Sequence, residues 1–232
     1  MLVSAFAANS RLCLGACAVQ PGKGEVDAAL HMVALLDLTG RIVTSDALHC
    51  THEMARAICA RGGDYVLTLK GNRPDWLDQA KQHFNGAGVQ SARVRLAEHG
   101  RTLHYHCATV LAAKALTKGH AAFGRVTCHR GAAAPQTRYF LMSLPLDPQQ
   151  LLHISKSHWA IENNLHWVLD VHLNEDSNRA RKDHAPANAG ILNRIARNIL
   201  QLIDKPKIPI SHRMKKCAWD ENYLLNAMAH MR

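Results

Sequence analysis

Four side chains capable of acid–base or metal chemistry recur every four residues in one stretch: His158, Glu162, His166 and Asp170. On an α-helix that spacing stacks them in a single polar row. Leu151, Ile154, Ile161, Leu165 and Val168, with Trp159 and Leu169, make up the opposite, apolar side. A carboxylate row between imidazoles on a helix apolar enough to be buried is costly unless something binds it. The competing reading is a solvated face with His–Glu pairs. A second carboxylate, Asp46, stands at the carboxyl end of a strand centred on Ile42 and Val43, where a helix cap is its ordinary role. Lys70 closes a further strand, YVLTLK, and offers a point charge for a phosphate or a merely solvated strand end.

These groups need elements to position them. Residues 2–8 and 12–19 read as a strand hairpin, followed by a helix from Glu25 to Leu38 that stops at Gly40. RIVTSDAL is a strand, 52–61 a short helix closed by Gly62 and Gly63, and YVLTLK the next strand. Strand–helix–strand implies a parallel pair with a right-handed crossover. Ligand sites in such sheets lie beyond the carboxyl ends of the strands, where Asp46 and Lys70 fall. Pro74–Phe84 is a helix with Pro in its first turn. From Arg93 to Leu144 the pattern alternates between Gly-rich breaks, which predicts a small antiparallel β insertion. The chain then returns to helix from Pro145 to about 170. A last helix spans Ala187–Ile203, with Ile191, Ile195, Ile199 and Leu202 expected inward and Arg194 and Arg197 outward. After Pro206 the tail is basic and expected to be loosely held, apart from docking by Trp219, Tyr223 or Leu224.

Composition sets bounds on partners and compartment. The 232 residues carry a formal net charge of +10. From Arg179 to Lys216, ten Lys/Arg stand against Asp183 and Asp204, a net +8 directly after the glutamate stretch. Such a balance suits a polyanion. Seven cysteines without paired spacing fit a reducing, cytoplasmic setting better than a disulfide framework. No apolar run approaches 18 residues, so no membrane partner is expected.

The stretch from His158 to Lys182, HWAIENNLHWVLDVHLNEDSNRARK, resembles the glutamate signature of bacterial insertion-sequence transposases of the DDE type, the branch that includes the Rhs-linked H-repeat proteins. That signature reads approximately HWxIENxLHWxLDVxFxEDxxRxRK, with Leu173 here at its aromatic position. TSDALHC around Asp46 is similar to the family's TIDALGCQ-like string, and LKGNRP, with Lys70 and Asn72, to its KGNQP-like string. The resemblance implies an α/β, RNase H-like mixed sheet flanked by helices, with a core at 1–92 and 145–204, the β insertion at 93–144 and a basic tail at 205–232. It implies Asp46 and Glu162 as catalytic carboxylates binding Mg²⁺, which in the family works as a two-ion site. Double-stranded DNA at transposon ends is the implied partner, met by Lys70, Asn72, His158, Arg179, Arg181 and Lys182, with a homo-oligomer as a further expectation. The family's first aspartate, in an IDGK-like string, has no counterpart between Met1 and Glu25. The chain is therefore expected to be a truncated, catalytically impaired copy lacking the first core strand. The alternatives are a non-catalytic DNA-binding or interaction protein, and a metalloenzyme using His158, Glu162 and His166.

Overall fold

The computed structural model describes residues 2–98, 100–131, 133–203 and 208–230. The chain forms two compact units, residues 29–158 and residues 1–28 with 159–232. The division falls inside α1 (Glu25–Leu35) and just after His158.

The 29–158 unit is a six-stranded mixed sheet in the order β3-β4-β8-β7-β6-β5. β3 (Ile42–Ser45) and β4 (Asp64–Leu69) run parallel, with Ser45 opposite Leu67. Between them α2 (His52–Ala60) makes the crossover, its first turn capped by Thr51, whose Oγ1 accepts from the Met54 N–H at 3.1 Å. Gly62, at φ +74°, ends that helix, a conformation that costs glycine nothing. Gly63 then passes so close to Leu38 that a Cβ would meet the leucine's own Cβ at 2.7 Å.

The expected antiparallel segment takes the form of four strands on this same sheet. They are β5 (Gln90–Glu98), β6 (Arg101–Leu111), β7 (Ala122–His129) and β8 (Gln136–Met142), and β8 returns to pair antiparallel with β4. Even-numbered residues of β7 and β8 and odd-numbered residues of β6 turn toward α4 (Pro148–His158). There Tyr105, Cys107, Val126, Phe140 and Met142 pack with Leu151 and Leu152. α3 (Pro74–His83) lies on the other face, its His83 ring 4.9 Å from Phe123. Two helical layers around a strand-rich centre bury enough apolar surface to hold β3 and β4 in register.

The other unit is built on a two-stranded antiparallel sheet, β1 (Leu2–Ala7) and β2 (Leu12–Ala18). Phe6 and Cys13 pack with Ile161, Leu165, Leu169 and Leu173. α6 (Ala185–Ile203) lies along β2, where the Asn198 amide donates to the Cys13 carbonyl at 2.7 Å and accepts from its N–H at 2.9 Å. A helical side chain thus satisfies both backbone groups of a strand edge.

α6 reverses the face expected from its periodicity. Ile191, Ile195 and Leu202 are exposed, while Arg194 and Arg197 are buried. The reason is specific bonding. Arg194 reaches Glu175 at 2.9 Å and Ser4 at 2.9 Å, and Arg197 donates to the carbonyls of Asn164 and Arg11. Three to five fixed donors make a buried guanidinium tolerable, which apolar periodicity cannot register. The tail differs as well: α7 (Ile210–Trp219) and α8 (Glu221–Ala229) follow, with Trp219 and Leu224 exposed. Residues 204–207, where the tail was placed to begin, lie outside the described residues, as does Met1. No helix among the described residues is long and apolar enough to cross a membrane.

Candidate functional site

The glutamate stretch is not one continuous α-helix. α4 ends at His158, Glu162–His166 form a π-helical turn, and α5 (Trp167–Val171) resumes the α-helix. The single polar row expected from four-residue spacing therefore breaks, because a π turn advances five residues per hydrogen bond. The local cause is Asn164, whose side-chain amide donates to the Ala160 carbonyl at 2.8 Å, the acceptor its own N–H would use in an α-helix. The Asn164 carbonyl is in turn held by Arg197 Nε at 3.0 Å. Glu162 opens this turn with its carboxylate exposed, 3.2 Å from His166 Nδ1. Single-turn π segments of this kind recur at functional sites. Trp159, placed by spacing on the apolar side, is about half exposed at 47%, as is Trp167 at 52%, whose ring stands edge-on to His172 at 4.8 Å.

Asp170 lies one turn on. Burial, and then the neighbouring carboxylates of Asp176 and Glu175, raise its pKa above the ordinary aspartate value. Beyond it, Arg179, Arg181 and Lys182 are exposed, although Arg181 also donates to the Asn178 and Ala180 carbonyls.

In the other unit Asp46 follows β3 directly and is exposed. It sits at the N-cap position of a 3₁₀ turn (Ala47–His49) yet its side chain makes no capping hydrogen bond. The capping explanation for an aspartate here therefore fails. The turn is instead fastened from the LKGNRP segment. The Asn72 amide donates to the Ala47 carbonyl at 2.7 Å, and Arg73 Nε to the Cys50 carbonyl at 3.1 Å. Arg73 also lies 5.4 Å from the Trp76 ring centroid. Lys70 is exposed just past the end of β4. His158 Nδ1 shares a hydrogen bond with Thr44 Oγ1 on β3, 3.1 Å away. Two polar atoms flanking Asp46 in sequence, Ser45 Oγ and His49 Nδ1, are buried without a partner among the described residues.

Asn72 and Arg73 acting on the Asp46 turn is a relation that spacing alone does not reveal. It makes a sharp expectation. Asp46→Ala should change the free energy of unfolding by less than about 0.5 kcal/mol, against about 1 kcal/mol for loss of a true cap. Asn72→Ala should cost about 1 kcal/mol by leaving the Ala47 carbonyl without its partner. A urea titration of the two variants checks both, and the reverse order would return Asp46 to a structural role.

The donor chemistry suits a hard, oxygen-seeking cation one ligand at a time, since both carboxylates are exposed. Among the described residues no group of three or more His, Cys, Asp or Glu is placed to hold a metal ion.

A sequence model of the family described as Transposase DDE domain matches residues 1–199. YbfL and the H repeat-associated protein YhhI, both of Escherichia coli strain K12, are each 29% identical over 246 residues, covering 98% of this chain. YncI of Escherichia coli O157:H7 is 29% identical over 251 residues. YhhI and YncI are named as candidate transposases. The chain spans 65% of the length of the first two relatives and 63% of the third.

Proposed function

We propose, from the premise that this chain belongs to the family of transposase DDE domains, that it carries the Asp46 and Glu162 portion of a DNA cleavage and strand-transfer site acting in the cytoplasm on double-stranded DNA. The observation that carries this reading is the Asp46 carboxylate: exposed at the carboxyl end of a parallel strand, uncommitted to the cap beside it, in a turn braced by Asn72 and Arg73.

In this reading Asp46 and Glu162 are the oxygen ligands that hold Mg²⁺. When bound, a pair of such ions activates the attacking oxygen and stabilises the leaving oxygen of an in-line phosphoryl transfer. The protein's part is positional. Asn72 and Arg73 fix the Asp46 turn, and Asn164 with Arg197 fixes the turn that Glu162 opens. His166 stands beside Glu162 and orients its carboxylate. Lys70, Arg179, Arg181 and Lys182 are the exposed cations assigned to phosphates, with Asn72 and His158 contributing through the elements they brace. A homo-oligomer belongs to the same reading, and the exposed Ile191, Leu192 and Ile195 of α6 offer an apolar face for it.

Two matched carboxylates are one short of the three this chemistry uses, so we read the 232 residues by themselves as catalytically impaired. The second reading is a DNA-binding protein without catalysis, and the basic segment from Arg179 to Lys216 is the feature that supports it.

The test is metal-directed cleavage of the protein itself. Fe²⁺ replacing Mg²⁺, with peroxide, generates radicals that cut the backbone close to the ion. Cuts next to both Asp46 and Glu162, both abolished by either Asp46→Asn or Glu162→Gln, are expected if the two carboxylates share a metal. Cuts at only one site, or none, would sink the assignment.

A further inference from the structure

The face of the six-stranded sheet turned away from α4 carries an ordered array of cations. In the register of β5, β6 and β7, Arg95, His104 and His129 lie in one row across the sheet, and Arg93 lies beside His106 in the next. Arg125, two residues before Thr127 in that second row, occupies the same face. Strand alternation supports the assignment, since Val94, Leu96, Leu103, Tyr105, Val126 and Cys128 point the other way into the α4 core. Arg93, Arg95, His104 and His129 are exposed, and His106 and Arg125 half-buried. The proximity is also electrostatic. After burial itself, Arg125, Arg93 and His129 depress the pKa of His106. None of the residues that these strands place on the face is acidic, and uncharged polar groups stand among the cations, including Thr127 and Thr137, bonded at 3.0 Å, and Tyr139. α3 meets this face at Phe123, and Phe84, just after the helix, lies under Arg125, 4.7 Å from its guanidinium carbon.

We propose that this open face of β5–β8 is a second docking surface for double-stranded DNA, which it grips by the phosphate backbone. The inference rests on the DNA reading above and adds a surface that neither the signature motif nor the basic segment after Arg179 contains. Charge complementarity argues for the occupant, because a carboxylate-free field of arginine and histidine suits a polyanion. Dimensions argue for a duplex. β5 and β7 are two strand spacings, about 10 Å, apart, so their arginines reach the phosphate rows that border a groove about 12 Å wide. Side chains standing on a sheet face contact phosphates without reading bases, so the binding is indifferent to sequence.

Anisotropy of a labelled duplex of arbitrary sequence, titrated with the full chain across a salt series, tests the proposal. Each phosphate contact adds about 0.9 to the slope of log affinity against log salt, so Arg93→Gln/Arg95→Gln should flatten it by about 2. Arg93→Lys/Arg95→Lys, which keeps the charge, should retain the wild-type slope. A parallel triple variant, Arg179→Gln/Arg181→Gln/Lys182→Gln, separates this face from the basic segment. If only the triple variant flattens the slope, the arginines merely protect an edge strand; the surface is then overturned and the DNA reading stands. If the lysine variant loses as much slope as the glutamine one, the effect is fold damage and the surface is again overturned. If the unaltered chain binds no duplex at any salt, both fall.

Discussion

Supercoiled plasmid incubated with the 232-residue chain in Mg²⁺ or Mn²⁺ is expected to give no joined product and nicking orders of magnitude below that of a site with three carboxylates. Each ion of a two-metal site contributes several kcal/mol to the transition state. Losing about 4 kcal/mol corresponds to about a thousandfold in rate, since each 1.36 kcal/mol is tenfold. In the proposed reading Asp46 and Glu162 supply two of the three carboxylates that such a site uses. The control is Asp46→Ala/Glu162→Ala, which should look like the unaltered chain. Activity present in the first and absent in the second would overturn the impaired reading. It would also mean that another carboxylate, Asp170 or Glu25, completes the site.

Arg197→Met is expected to destabilise the protein by about 2–5 kcal/mol, from about 1–3 kcal/mol for each of the two backbone carbonyls it leaves without a donor. Arg197 is fully buried, and its donors run to the Asn164 carbonyl at 3.0 Å, the Arg11 carbonyl and Gln201 Oε1 at 3.5 Å. Burial pulls its pKa down to about 10, with Arg11 and Arg213 adding to the effect, so it remains a cation at neutral pH. Methionine fills similar space but leaves those acceptors in a dry interior. One of them belongs to the turn that opens at Glu162, and another to Arg11, which takes a left-handed φ of 56° at the β1–β2 hairpin. A fall in melting temperature of about 10 °C should follow, at about 2–4 °C per kcal/mol for a chain of this size. Circular dichroism melts measure it, and a shift under about 2 °C would show that the guanidinium is dispensable. Exposed Ile195→Ala, two residues away, should move the melt far less.

Much of the architecture was legible one strand at a time. Alternation and punctuation marked β3, α2 and β4 as a parallel crossover, and the structure has that pairing with Ser45 opposite Leu67. Both are local properties, set by which residues tolerate a pleat or a positive φ. The same alternation marked an antiparallel segment from Arg93 to Leu144. It could not say that β8 would close against β4 and place that segment on the same sheet, since pairing partners are chosen by non-local hydrogen bonds.

The glutamate stretch divides in the same way. Residue types from His158 to Lys182 pointed to carboxylate chemistry, and the wording of the signature to a family that the match over residues 1–199 bears out. Periodicity nevertheless assumed a uniform helix, and the π turn at Glu162–His166 arises from a side chain, Asn164, taking a backbone acceptor, with a distant arginine holding the carbonyl. α6 fails for the same reason. Ile191, Ile195 and Leu202 face outward while Arg194 and Arg197 are buried, because the arginines find Glu175, Ser4, Asn164 and Arg11, partners up to 190 residues away in sequence. By itself the sequence determined which segments are strands and helices and which side chains have the chemistry. The tertiary structure alone decided which polar groups go inside, because a buried charge is stable only where the fold brings acceptors to it.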